Sequence, residues 1–138
     1  MGTRGAALSG PDGRRATEMM NGRWRDRFPR VVLALPGLNG PLDIEFIVDT
    51  GFDGELALSD SLIQRLDIAV LDSRFVQLAG GFRQRTYAYE LRMEWDEETR
   101  LIEVLSLDGN SLIGNGLWKG QLLQAENNHG GEVAFEPL

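Results

Sequence analysis

Hydrophobic positions first fall into an ordered pattern at Val31, and from there onward the period is mostly that of strands. Val31 to Leu35 is a β-branched and aliphatic run closed by Pro36-Gly37. Leu38-Asn39-Gly40-Pro41 supplies an Asn-Gly turn and Leu42 to Val48 returns, so the two runs read as a β-hairpin. In the return strand Leu42, Ile44 and Phe46 alternate with Asp43 and Glu45. The alternation stops at Ile47-Val48, where both faces become apolar just before Asp49. A polar, glycine-punctuated loop from Asp49 to Gly54 leads to a brief strand, Glu55 to Leu58. Ser59-Asp60 has the chemistry of a helix cap, and Leu62, Ile63 and Leu66 keep helical spacing, predicting one substantial helix through Asp67.

Three longer strands are predicted at Arg74 to Ala79, Phe82 to Trp95 and Leu101 to Leu107. In the second, Tyr87, Tyr89, Leu91, Met93 and Trp95 alternate with Ala88, Glu90, Arg92 and Glu94, the pattern of a half-buried strand. Gly80-Gly81 forms a tight tip before it, and Asp96 to Thr99 a turn after it. The chain closes with Leu112-Ile113-Gly114, a helical turn at Asn115 to Gly120, a strand at Leu122 to Ala125, a turn at Asn127 to Gly131 and a strand at Val133 to Phe135. The sum is a mainly β domain, and 138 residues suit one core.

The first eighteen residues show no apolar period and read as a flexible tail. The division expected is a leader at 1–22 and a folded domain at 23–138, with Met19 or Met20 as an alternative start. Residues 1–30 carry seven arginines against three acids, a balance of +4, whereas the rest of the chain stands at −11. No 7–15-residue apolar stretch follows those arginines, so no secretion signal is read there. Nor is there an apolar run of about 18 residues, the length a membrane span needs. The expected setting is therefore cytoplasmic, with no membrane partner.

Composition narrows the chemistry. There is no cysteine, which excludes disulfides, thiol catalysis and thiolate metal sites. The single histidine, His129, sits in a glycine-rich turn and cannot support a multi-histidine metal site. No metal or cofactor is expected. A net charge of −7 argues against nucleic acid as a primary partner, because phosphate neutralisation needs a basic surface. Trp24, Trp95 and Trp118 read as core or interface anchors, while Asp43, Glu45 and Asp96-Glu97-Glu98 read as solvated faces and turns. Carboxylate chemistry is what remains.

The sharpest candidate is Asp49, at the end of an apolar strand and followed by Thr50-Gly51. An apolar strand fixes the position of such a carboxylate, glycine lets the backbone turn and approach closely, and the threonine hydroxyl can brace the loop. The order Phe46-Ile47-Val48-Asp49-Thr50-Gly51-Phe52, a helix, the hairpin tip Leu78-Ala79-Gly80-Gly81, then Ser111-Leu112-Ile113-Gly114, resembles the retroviral-type (retropepsin-like) aspartic proteases, and especially their small bacterial members.

That resemblance implies a small, closed, barrel-like lobe with one substantial helix and a short C-terminal helix, assembled as an obligate homodimer. It implies an aspartic endopeptidase that hydrolyses extended polypeptide with water activated between two Asp49 carboxyls. Thr50 would grip the partner's matching loop, and Gly51 would contact substrate backbone. Phe52, Asp53, Gly80 and Gly81 would belong to the substrate-binding surface, the two glycines as the tip of a closing flap. The sequence also departs from the viral pattern. Phe52 stands where viral enzymes have alanine, and Asn115 stands where they carry an arginine that pairs with an aspartate near Asp53. The alternative reading is a catalytically inactive dimeric peptide-binding or regulatory module with the same fold.

Overall fold

The computed structural model describes residues 22–77 and 79–138, without the side chain of Ala79. The expected leader, apart from Gly22, and Leu78 of the hairpin tip lie outside the described residues. The described residues form ten strands: β1 (Gly22–Arg25), β2 (Phe28–Gly37), β3 (Gly40–Val48), β4 (Leu56–Leu58), β5 (Ala69–Gln77), β6 (Arg83–Trp95), β7 (Glu98–Ser106), β8 (Leu112–Ile113), β9 (Gln121–Ala125) and β10 (Glu132–Pro137). They form one open sheet in the order β5-β6-β7-β4-β8-β3-β2-β1-β10-β9, so β5 and β9 are its two edges. The closed, barrel-like lobe expected from the resemblance is not what the chain adopts.

The substantial helix is also absent. The one α-helix among the described residues, α1, covers only Asp60–Ile63, capped by Ser59, whose hydroxyl accepts from the Leu62 amide at 3.4 Å. The apolar spacing through Leu66 predicts a longer helix, but the backbone there is engaged elsewhere. Leu38 donates to the Arg65 carbonyl and Asp67 to the Pro36 carbonyl, each at 3.0 Å. Tertiary strand-end pairing with the β2–β3 hairpin therefore stops the helix, while Ile63 and Leu66 still reach the core. The helical turn expected at Asn115 to Gly120 fails for a related reason. The Leu117 amide donates to the Gly114 carbonyl at 3.1 Å and Gln121 to Trp118 at 3.0 Å, so the segment makes separate i−3 turns, held to the Phe52 and Gly54 carbonyls by the amides of Asn115 and Gly116 at 2.8 and 3.0 Å.

The β2–β3 hairpin forms, with its ladder running to the Gly37–Gly40 pair, so Leu38-Asn39 makes the turn and Gly40, at φ 105°, already opens β3. The turn carried by Asp96 and Glu97 is two residues long, and β7 begins at Glu98. β1 is an addition that hydrophobic pattern does not reveal. It pairs with both β2 and β10, and reaches β2 through Asp26-Arg27, both at positive φ. β5 starts at Ala69, five residues before the expected strand.

The core is built from Val31, Leu33 and Leu35 of β2, Ile44, Phe46 and Val48 of β3, Leu56 and Leu58, then Leu91, Trp95, Ile102, Val104, Ile113, Leu117, Val133 and Phe135. Trp95 and Phe135 meet edge to face at 5.6 Å between ring centroids, and the Trp95 indole donates to Gln121 Oε1 at 3.1 Å. Along β6 the expected inward stripe holds only in part. Leu91 and Trp95 are buried, but Tyr87 is exposed, and Thr86 and Ala88 are buried on the opposite face instead. The first part of β6 has left the main core and packs by its other side. Among the described residues, no helix is long and apolar enough to cross a membrane.

Candidate active site

Asp49 takes its position from a strand arrangement that its local sequence does not contain. β8 lies between β3 and β4, parallel to β3 through the pairs Ile47–Leu112 and Val48–Ile113, and antiparallel to β4 through Leu56–Ile113 and Ala57–Leu112. The loop from Asp49 to Glu55 thus leaves one side of β8 and returns on the other. Its first residue is pinned directly: the Asp49 amide donates to the Ile113 carbonyl at 2.8 Å. Loop closure is local, with the Phe52 amide donating to the Asp49 carbonyl at 3.1 Å.

The Asp49 side chain is half-buried, and its Oδ1 accepts from the Gly51 amide at 2.9 Å, which fixes the carboxylate's orientation. Among the described residues it has no ion-pair partner. Asp49 and Thr50 line a cleft of about 580 Å³ whose walls include Trp24, Phe28, Ile47, Leu112 and Leu123, with Arg27 also contributing. Its apolar walls and few polar groups are the composition typical of a ligand site.

The remaining residues expected to serve substrate fall into three places. Gly51 borders the carboxylate. Phe52 turns inward: its ring lies where a Cβ on Gly54 or Gly114 would sit, at 2.6 Å in each case. Phe52 therefore closes the underside of the loop and is not among the residues lining the cleft. Asp53 is exposed beside it. Gly80 and Gly81, at φ 85° and 83°, form the tip of the β5–β6 hairpin and do not line the cleft either.

Two supports of the loop escape sequence reasoning. Asn115 donates from Nδ2 to the Thr50 carbonyl at 2.7 Å, while its amide donates to the Phe52 carbonyl. The residue adjoins Leu112-Ile113-Gly114, so its place in the motif was visible but not its bonds. Glu55 accepts from Arg100 Nη2 and from the Glu103 amide, both at 2.8 Å, and Arg100 Nη1 donates to the Leu117 carbonyl at 2.9 Å. This half-buried ion pair braces the far end of the loop. Arg100 lies 45 positions from Glu55, and nothing local marks it.

Gly114 is required by contact. A Cβ there would lie 2.2 Å from the Gly54 carbonyl oxygen and 2.6 Å from the Phe52 oxygen. Among the described residues, no group of three or more His, Cys, Asp or Glu is placed to hold a metal ion. Trp95 is a core residue, Trp118 packs against the core, and Trp24 lines the cleft. Glu45, expected as a solvated strand residue, receives both Arg25 guanidinium nitrogens at 2.6 and 3.0 Å. His129 is exposed in the turn before β10. No protein-family model matches this sequence, and no curated protein matches it.

Proposed function

We propose that the chain is one half of a dimeric aspartic endopeptidase of the retroviral type, with Asp49 as its catalytic residue and the cytoplasm as its setting. One observation carries the reading: Asp49 is a half-buried carboxylate without an ion-pair partner among the described residues, oriented by Gly51 and lining an apolar cleft. Peptide hydrolysis needs a base for water and an acid for the carbonyl at the same moment, and one carboxyl cannot be both. A chain with one Asp-Thr-Gly obtains the second carboxyl from a second copy.

Two such carboxyls about 3 Å apart cannot both ionise, so the pair holds one proton and titrates as a unit. The ionised member takes a proton from a water between them. The water oxygen bonds to the scissile carbonyl carbon while the neutral member gives its proton to the carbonyl oxygen. When the C–N bond breaks, the leaving nitrogen takes a proton from the carboxyl that accepted it, and the hydroxyl proton returns to the other. Thr50, next to Asp49, meets the partner's loop, and Gly51 offers a close approach to substrate backbone. The hairpin tipped by Gly80-Gly81 closes over the peptide. The cleft walls favour apolar side chains.

The test is a digest of an unstructured peptide library between about pH 3 and pH 8, run beside Asp49→Asn. Cleavage by the parent and none by the variant, with equal sedimentation, is the expected result. A parent dimer that cleaves nothing across that range leaves the peptide-binding module in its place.

A further inference from the structure

β5 is an edge of the sheet, and its ladder with β6 sets Phe75 opposite Arg85, Ser73 opposite Tyr87 and Gln77 opposite Arg83. Directly opposed residues share a face, so Phe75, Arg83, Arg85 and Tyr87 stand together on one side of the hairpin. Further along β6 that same side carries Tyr89, Leu91, Met93 and Trp95, which belong to the core or pack against it. The reverse side is already engaged. Thr86 and Ala88 are buried there, the Thr86 hydroxyl donates to the Ser106 carbonyl, and Arg74 pairs with Glu103.

An apolar stripe therefore runs on past the core, and among the described residues nothing covers it. Phe75 is 59% exposed, Tyr87 57%, and Phe82 in the adjoining loop 74%. The guanidinium carbons of Arg83 and Arg85 lie 4.7 and 5.3 Å from the centroid of the Phe75 ring. Neither arginine forms an ion pair among the described residues. A guanidinium held on a ring face keeps its N–H edges free, and those edges match a carboxylate in geometry and charge.

We infer that this face of the β5–β6 hairpin binds an extended acidic segment of polypeptide, its carboxylates on Arg83 and Arg85 and an apolar side chain between them on Phe75 and Tyr87. The free edge of β5 adds main-chain hydrogen bonds for such a strand. A nucleic acid or an anionic membrane fits less well, because it would approach a chain of net charge −7 and meet two cations here. That the segment is part of the substrate rests on the peptidase reading; the binding itself does not.

The test uses the full chain carrying Asp49→Asn and a labelled peptide with a Glu-Ser-Val-Ser-Glu centre, followed by fluorescence anisotropy. Binding that weakens with salt is expected. Arg83→Gln combined with Arg85→Gln lowers affinity at least about fivefold, and so does Gln for Glu in the peptide. The thermal unfolding of that double variant matches its parent, since both side chains are exposed. The inference is overturned if the double variant binds as tightly as its parent, or if the Gln peptide binds equally well. It is also overturned if a single-stranded oligonucleotide or a phosphatidylserine vesicle binds this face more tightly than the peptide. Binding through both arginines with no cleavage by the Asp49 protein upholds the surface and defeats the peptidase reading instead.

Discussion

Asn115 donates its side-chain amide to the carbonyl of Thr50 at 2.7 Å, across 65 positions of chain. With its backbone amide on the Phe52 carbonyl, this one residue holds the loop on both sides of Gly51. The loop is thus held from this position by neutral hydrogen bonds. Asn115→Ala should reduce peptide turnover roughly tenfold or more, because the carboxylate loop loses its brace. Stability should fall by only about 0.5–1.5 kcal/mol, since the substitution also removes an Oδ1 that is buried without a partner. Urea unfolding beside the peptide digest separates the two effects; equal losses in both would make Asn115 merely structural.

Gly51 lies within the Asp49 loop and Gly114 packs against its backbone, and the two should respond in opposite ways. At Gly114 a methyl meets backbone oxygen at 2.2 Å, and Gly114→Ala should cost at least about 2 kcal/mol in urea unfolding. At Gly51 a methyl meets only Asp49 Oδ1, at 3.3 Å. Gly51→Ala should therefore fold within about 0.5 kcal/mol of the parent and lose turnover, as crowding of substrate backbone requires. A Gly51→Ala protein that cleaves at the parent rate removes Gly51 from the substrate contact.

The β6–β7 turn places Asp96 and Glu97 at φ 54° and 66°, where Asn-Gly is the favoured pair. Burial, with Glu97 and Glu98 adding repulsion, pushes the Asp96 carboxyl above its ordinary value. The sign follows: ionised Asp96 is less favourable in the folded chain, so stability is lost as pH rises from the unfolded value near 4 through the raised one. Asp96→Asn should raise the unfolding temperature near pH 7 and bring less gain near pH 3, where the acid is already neutral. Adding Glu97→Gly should contribute about 1 kcal/mol more, because glycine takes the positive φ without strain.

Hydrogen bonds from Arg25 hold Glu45 below the usual carboxylate range. A lowered folded value means the pair stabilises above the unfolded value near 4.3 and is lost as pH falls through the folded one. Glu45 is well exposed to solvent, so Glu45→Gln should cost less than about 1 kcal/mol near pH 7. That cost should shrink at high salt and vanish as pH falls below the lowered folded value. Thermal melts of parent and variant across that range, at two salt concentrations, provide the check.

Much of the strand framework was legible in the sequence, because alternation records which side of a half-buried strand meets the core. Ile44 and Phe46 against Asp43 and Glu45 placed β3 correctly, and the break at Ile47-Val48 located the point where the chain enters the interior beside Asp49. The pattern failed where a neighbour took the backbone. Leu62, Ile63 and Leu66 have helical spacing, yet Arg65 and Asp67 bond to Leu38 and Pro36, and the helix ends at Ile63. Tyr87 continues the alternation of Leu91 and Trp95 but lies beyond the reach of the core.

By itself the sequence determined which atoms are available for chemistry: no thiol, one imidazole and a single Asp-Thr-Gly at the end of an apolar strand. It also determined most of the strands, since side-chain periodicity is a local property of the chain. Tertiary structure alone decided that β8 would separate β3 from β4, that Asn115 and Gly114 would close on the Asp49 loop, and that Arg100 would reach Glu55. It also decided that the sheet would stay open, with β5 at its edge. Those are pairings between residues tens of positions apart, fixed by the competition among backbone donors for acceptors and among apolar side chains for one core. No local pattern records the outcome of that competition.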